Sequence, residues 1–205
     1  MAYVMARIYS SSGTIGAEEL AQLALKELAP KLGEGGGLTR YVTIVFSDGR
    51  LGSFSAYESQ EAAKRGQQIA AELVKGHKDF QSLKLDETME GEVIYAAQGS
   101  VPMTGRLHGV SRVYTTNASV NDVKDAFENE AGEIIQSFPG LARYTVAKLS
   151  DGRIGVFNSF DSQENAKKSS EQVRSLRAKS GSKIARTLPS DPQTLEGRVI
   201  GSHPG

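Results

Sequence analysis

Fifteen of the 28 residues from Gly37 to Lys64 recur, without a gap, between Gly140 and Lys167. The shared positions include Gly37/Gly140, Tyr41/Tyr144, the whole Ser-Asp-Gly-Arg turn, Phe54/Phe157 and the Ser-Gln-Glu triplets at Ser59–Glu61 and Ser162–Glu164. Weaker echoes flank this segment: Ala6–Tyr9 parallels Ser111–Tyr114, and Glu90–Ile94 parallels Glu196–Ile200. The offset drifts slightly between these matches, as it does when short insertions fall in loops. The chain thus holds two copies of one unit of about 100 residues, far longer than a solenoid repeat. The expected organisation is a first repeat over 1–97, a linker over 98–108 and a second repeat over 109–205. The linker, rich in Gly, Pro and Ser, has no hydrophobic period.

Each copy spells out the same series of elements. Residues 3–9 alternate between apolar and mixed positions, the mark of a two-faced strand. A helix follows, with Leu20, Leu23, Leu28 and Leu32 on one stripe; its counterpart carries Val120, Val123, Phe127, Ile134 and Phe138. Ser119 and Asp122 form a capping-box pattern. Pro30 and the Gly35–Gly37 run are expected to stop the first helix, and Pro139–Gly140 the second. Two strands joined at Asp48–Gly49 (Asp151–Gly152) read as a hairpin. Ser59 and Ser162 then cap a second helix, and a last strand closes the unit. The order β-α-β-β-α-β is ferredoxin-like, so the fold class is α+β. Both helices of such a unit cover one face of its antiparallel sheet and leave the other bare. The second copy offers an identical face, so the expected architecture is an intramolecular α/β barrel with the helices outside.

Composition narrows the rest. Lys plus Arg and Asp plus Glu both number 24, giving no electrostatic reason to expect a membrane or nucleic-acid partner. The absence of cysteine excludes disulfides and thiolate chemistry. The opening residues lack the basic and apolar regions of a secretory signal, so a cytoplasmic protein is the expectation. His77, His108 and His203 fall in expected loops and the tail, with no ligand spacing among them, so no metal and no cofactor is expected. Gly33–Gly37 lacks the Lys-Ser/Thr of a phosphate loop and reads as a helix stop. The basic run from Lys167 to Arg186 is read as a solvated helix face, with nucleic-acid contact the weaker alternative.

A first strand ending in Arg-x-Tyr, the Tyr…Asp-Gly…Gly-x-Phe hairpin and a Ser-capped helix opening Ser-Gln-Glu together resemble the dimeric α/β-barrel superfamily, in particular its antibiotic-biosynthesis-monooxygenase-like members. The resemblance covers nearly the whole chain, twice. It implies a pocket between sheet and helices and a small-molecule role, including cofactor-independent monooxygenation of an aromatic or polyketide-like compound. The Asn–Trp–His set of haem-degrading relatives has no match, since the chain contains no tryptophan.

A hairpin loop of Ser47–Gly49, with Gly49 left-handed, sorts the strands cleanly. Val42, Ile44, Phe46, Gly52, Phe54 and Ala56 share an apolar face, expected beneath the helices. Tyr41, Thr43, Val45, Leu51, Ser53, Ser55 and Tyr57 share the other, expected toward the barrel interior. A two-residue loop would flip the second strand and mix the faces. On the favoured sorting the second copy adds Ser111, Thr145 and Ser159 under its helices, and the changes Val42/Thr145, Ile44/Ala147 and Ser55/Asn158 make its pocket the roomier.

The repeated polar-aromatic set is Arg7/Arg112, Tyr9/Tyr114 and Tyr41/Tyr144, with Asn158 beside it in the second copy. As a ligand site it suits an anionic molecule or a small apolar or aromatic one, because Arg forks onto carboxylates and Tyr offers rigid area with a hydroxyl. As structure it packs a seam, each Arg paired to a carboxylate. The functional readings are a small-molecule-binding protein with a cavity of roughly 300 Å³ or more, and a non-catalytic interaction module with a filled interior. A chain carrying both halves works as an internal pseudo-dimer and needs no second subunit, though further homo-oligomers are compatible with it.

Overall fold

The computed structural model describes residues 1–204. Its strands are β1 (Tyr3–Ser11), β2 (Leu38–Phe46), β3 (Leu51–Tyr57), β4 (Leu83–Gln98), β5 (Leu107–Tyr114), β6 (Leu141–Leu149), β7 (Ile154–Phe160) and β8 (Gln193–Pro204). Their hydrogen-bonded order, β1-β3-β2-β8-β5-β7-β6-β4, closes into an eight-stranded antiparallel barrel. The chain divides into two compact units, residues 1–92 with 197–204, and residues 93–196.

The first unit holds the sheet β4-β1-β3-β2-β8, in which the end of β8 runs antiparallel to β2 from Phe46↔Gly197 to Arg40↔Pro204. Its helices are α1 (Ala17–Leu23), a π-helical turn over Ala24–Leu28, α2 (Ala29–Glu34) and α3 (Gln60–Gly76). The second unit holds β8-β5-β7-β6-β4, with α4 (Val120–Ala126), a π-helical turn over Phe127–Ala131, α5 (Gly132–Gln136), α6 (Gln163–Ala178) and the short α7 (Lys183–Thr187). In each unit the last strand of the other repeat supplies the final ladder, so β4 and β8 are far longer than the Glu92–Ala97 and Arg198–Gly201 stretches that read as strands in the sequence.

Local chemistry explains the elements. Gly49 and Gly152 take φ of 86° and 93°, and each turn is closed on both sides, as by Phe46 N–H to Arg50 C=O at 2.9 Å. The Asp48 and Asp151 carboxylates grip Arg50 and Arg153 at 2.7 Å within the turn. Ser59 and Ser162 accept the N–H of Ala62 and Asn165, and Ser119 accepts that of Asp122 while donating to its carboxylate.

Three expectations about the helices fail. Pro30 does not stop the first helix: it sits at the start of α2, directly after the π-helical turn, where a widened turn tolerates the missing N–H, and the helix runs to Glu34 before Gly35 ends it. The second repeat's π turn shifts its apolar stripe, so Ile135 is buried and Ile134 only partly so. The basic run is also not one helix, since residues 179–182 break it, and Lys168, Lys183 and Arg177 are tied to Glu164, Asp125 and Asp191.

Register follows the three-residue loop: Val45↔Leu51, Thr43↔Ser53 and Tyr41↔Ser55 are opposite, as are Ile44↔Gly52 and Val42↔Phe54. The sorting into faces holds, but the faces are inverted. Tyr3, Met5, Tyr41, Leu51 and Tyr57 pack with Leu20, Leu28, Ala62 and Ala70 of the helices, so the tyrosine-bearing face lies beneath them and the apolar face points away. The reason is complementarity of size. The inward face of α3 is Ala62, Ala63, Gly66 and Ala70, and such a flat surface needs large partners; a Cβ at Gly66 would collide with the Tyr57 ring. In a barrel both sheet faces are covered, so polarity alone does not tell them apart.

Gly197 enters the first unit against backbone, and a Cβ there would overlap the Val45 carbonyl oxygen. Gly197→Ala is expected to cost roughly 2 kcal/mol or more, lowering Tm by about 4–8 °C in calorimetry. Gly33→Ala, in α2 with nothing within 4 Å, should instead raise stability by about 0.5 kcal/mol.

Candidate functional site

Rows of side chains run across the first unit's sheet, beneath its helices. One row is Met5–Ser55–Tyr41–His203, and the next is Arg7–Ser53–Thr43–Gly201. Tyr9 lies beyond Arg7 on β1, and Tyr57 lies beyond Ser55 on β3. The structure therefore brings Arg7, Tyr9 and Tyr41 together with Thr43, Ser53, Ser55 and Tyr57.

Burial sets the electrostatics here. It pushes the Tyr9 phenol up, against the pull of the Arg7 guanidinium and the Ser53 hydroxyl. It pushes Tyr41 up much further, with Tyr9 adding to the shift and Ser53 and Arg7 opposing it. Tyr57 is raised by burial and eased by Ser55 and Arg7. These phenols stay protonated and can both donate and accept. Arg7 is half-buried among them and makes no ion pair among the described residues. The packing reading expected a carboxylate on this arginine, and none is there.

Two polar atoms in this unit are buried without a hydrogen-bond partner: Thr43 Oγ1, on a residue with no exposure, and His203 Nδ1. Tyr41 stands between them, opposite His203 and two residues from Thr43. His203 is thus in a strand, not a tail; His108 likewise lies in β5, its Nε2 3.7 Å from a Glu196 oxygen.

The second unit has the same frame with different chemistry. Tyr144 faces Asn158, and Arg112 faces Val156. Val146, Val156 and Phe160 stand where the first unit has Thr43, Ser53 and Tyr57. Arg112 donates to Ser170 Oγ of α6 at 2.6 Å and, like Arg7, has no carboxylate partner among the described residues. Burial pushes Tyr114 and Tyr144 up, Tyr144 more. Tyr95 stacks on Phe127 at 5.7 Å and meets Tyr144 edge-on at 6.5 Å, while Phe138 closes the ring cluster. A cavity of about 10 Å³ lies beneath the π-helical turn, lined by Tyr114, Tyr144, Phe127, Phe138, Arg177 and Leu176 among others. That is room for about one water molecule. Asn158 is buried, with its Oδ1 unpartnered.

Ile44 and Ala147, expected to set the relative size of the helix-side pockets, face away from the helices in both units, as do Ser111, Thr145 and Ser159. Thr43, Ser53, Ser55 and Tyr57 were legible as one face but assigned to the wrong side. His203 had no local signal at all, because only the strand exchange brings it to Tyr41. Among the described residues no cluster of His, Asp and Glu is placed to hold a metal ion, and no helix is long and apolar enough to cross a membrane.

No family model matches the chain, and no curated protein does. Solved structures do. A candidate monooxygenase from Fusobacterium nucleatum superposes with a TM-score of 0.68 at 12% identity, covering 99% of this chain and 94% of that one. Another from Lactobacillus acidophilus gives 0.68 at 9% identity, covering 100% and 97%. An anthrone oxidase-like protein gives 0.62 at 12% identity, covering 99% and 93%. The chain has the dimeric α/β-barrel fold, with both halves in one polypeptide. At these identities the likeness establishes the fold and leaves activity to the site.

The buried tyrosines predict the alkaline behaviour. A phenol whose pKa is raised by folding binds its proton more tightly in the native state, so its contribution is complete below the ordinary value of 10.0 and is lost as pH climbs above it. Tm should be level from about pH 7 to 9 and fall steeply beyond about pH 10. Absorbance at 295 nm should show Tyr41 and Tyr144 ionising only as the protein unfolds.

Proposed function

We propose that this chain is a cytoplasmic small-molecule-binding protein whose ligand is a flat aromatic compound carrying an anionic group, held beneath the helices by Arg7, Tyr9 and Tyr41. The equivalent Arg112, Tyr114 and Tyr144, with Asn158, form a second and more apolar version of the site. One observation carries this reading: Arg7 is half-buried among phenols with no carboxylate partner among the described residues. A guanidinium drawn partly out of water without a counter-ion is costly, and an anionic ligand would complete it. Phenols on either side give aromatic area and hydroxyl handles. The names of the solved neighbours, two candidate monooxygenases and an anthrone oxidase-like protein, favour an aromatic compound such as an anthrone and make oxygen-dependent turnover the activity to look for.

The small size of the second unit's cavity favours another reading, an interaction module with a filled interior. Titration calorimetry with naphthalene-2-carboxylate separates the two. Saturable binding is expected, weakened about 10–100-fold by Arg7→Ala. No heat at millimolar ligand, in a protein that unfolds cooperatively, would overturn ligand binding and leave the interaction module. Oxygen uptake with an anthrone as substrate tests the enzymatic form.

A further inference from the structure

Thr43 Oγ1 and His203 Nδ1 are the described first-unit side-chain atoms buried without a hydrogen-bond partner, and they flank the same phenol. A native fold rarely strands two such groups together, because each loses its water and gains nothing. Their surroundings are polar on the sheet side, with Ser53 opposite Thr43 and Ser55 opposite Tyr41. The helix side is apolar: Leu25 of the π-helical turn sits over Gly201, directly across from Thr43.

The second repeat shows what this place looks like when it is filled. There the positions of Thr43, Gly201 and His203 are taken by Val146, Tyr95 and Ala97. Val146 is fully buried, and Tyr95 and Ala97 pack into the apolar cluster of that unit. The same frame is thus satisfied by hydrocarbon and one aromatic ring. The first unit's unpaired hydroxyl and imidazole are therefore not demanded by the fold.

We propose that Thr43 and His203 form a hydrogen-bonding subsite, centred on Tyr41, that takes a ring hydroxyl or carbonyl oxygen of the ligand while Arg7 takes its anionic group. The inference rests on the binding reading above and narrows it to hydroxy- or oxo-substituted aromatic acids bound in the first unit. Thr can donate or accept, and the imidazole nitrogen can do either according to its tautomer, so a hydroxyl finds both partners it needs. His203 is here a direct binding contact supplied by the last strand of the chain.

The test compares 6-hydroxynaphthalene-2-carboxylate with naphthalene-2-carboxylate on the full-length protein by calorimetry. The hydroxyl should improve affinity about tenfold in the wild type. Thr43→Val and His203→Ala, which install the second repeat's own residues, should each cut that advantage to about twofold or less, read as the ratio of the two acids' affinities within each variant. Thermal unfolding of both variants checks that they are folded. Equal binding of the two acids by the wild type, or an advantage that survives both substitutions, overturns the subsite and leaves the Arg7 site standing. If neither acid binds, the binding reading fails and the subsite with it.

Discussion

An antiparallel ferredoxin-like sheet ends in β2, whose outer N–H and C=O groups must pair with something. Here that something is the end of β8, and the pairing determines most of what else is found in the first unit. It seats Gly197 against the backbone of Val45, brings Arg198 to Glu18 of α1, and lays Gly201 and His203 beside Thr43 and Tyr41. In the second unit the end of β4 does the same for β6, and the chain continues the ladder through Gly99 N–H to Ala142 C=O at 3.1 Å and Val101 N–H to Leu141 C=O at 3.1 Å. Strand exchange is therefore the means by which the sheet beneath each set of helices acquires its last strand.

What lies over that sheet is decided by size. Helix α3 offers alanine and glycine, so rings come up from the sheet to meet it, and with the rings come their hydroxyls. Short serines on β3 fill the space between them. The result is a layer that is apolar in bulk yet studded with donors, around an arginine with no acid. The second unit has valine or phenylalanine where the first has Thr43, Ser53 and Tyr57, and adds Tyr95, whose ring packs with Phe127 and Tyr144.

The element order and the closed barrel were legible in the sequence because they depend on patterns that local chemistry enforces: the left-handed glycine of each hairpin, the serine caps and the alternation along strands. Which sheet face meets the helices was not, because both faces are buried and the polar one is also the one with the large rings. Reading the small residues of α3 against Tyr57 would have settled it. The π-helical turns leave no mark in composition, and Pro30 misleads by looking like a stop. Arg7, Tyr9 and Tyr41 draw notice in the sequence because they are written twice, whereas Thr43 and His203 draw none because they are not.

Two identical subunits related by a two-fold axis must carry identical sites, since every substitution appears in both. Two halves within one polypeptide are under no such obligation. The glycine at 201 and the tyrosine at 95 show the freedom in use: one half has gained an extra ring, while the other keeps a hydroxyl and an imidazole nitrogen buried without hydrogen-bond partners. Two unlike halves in one polypeptide allow one to be filled with hydrocarbon and rings while the other retains polar groups that a well-packed protein would ordinarily discard.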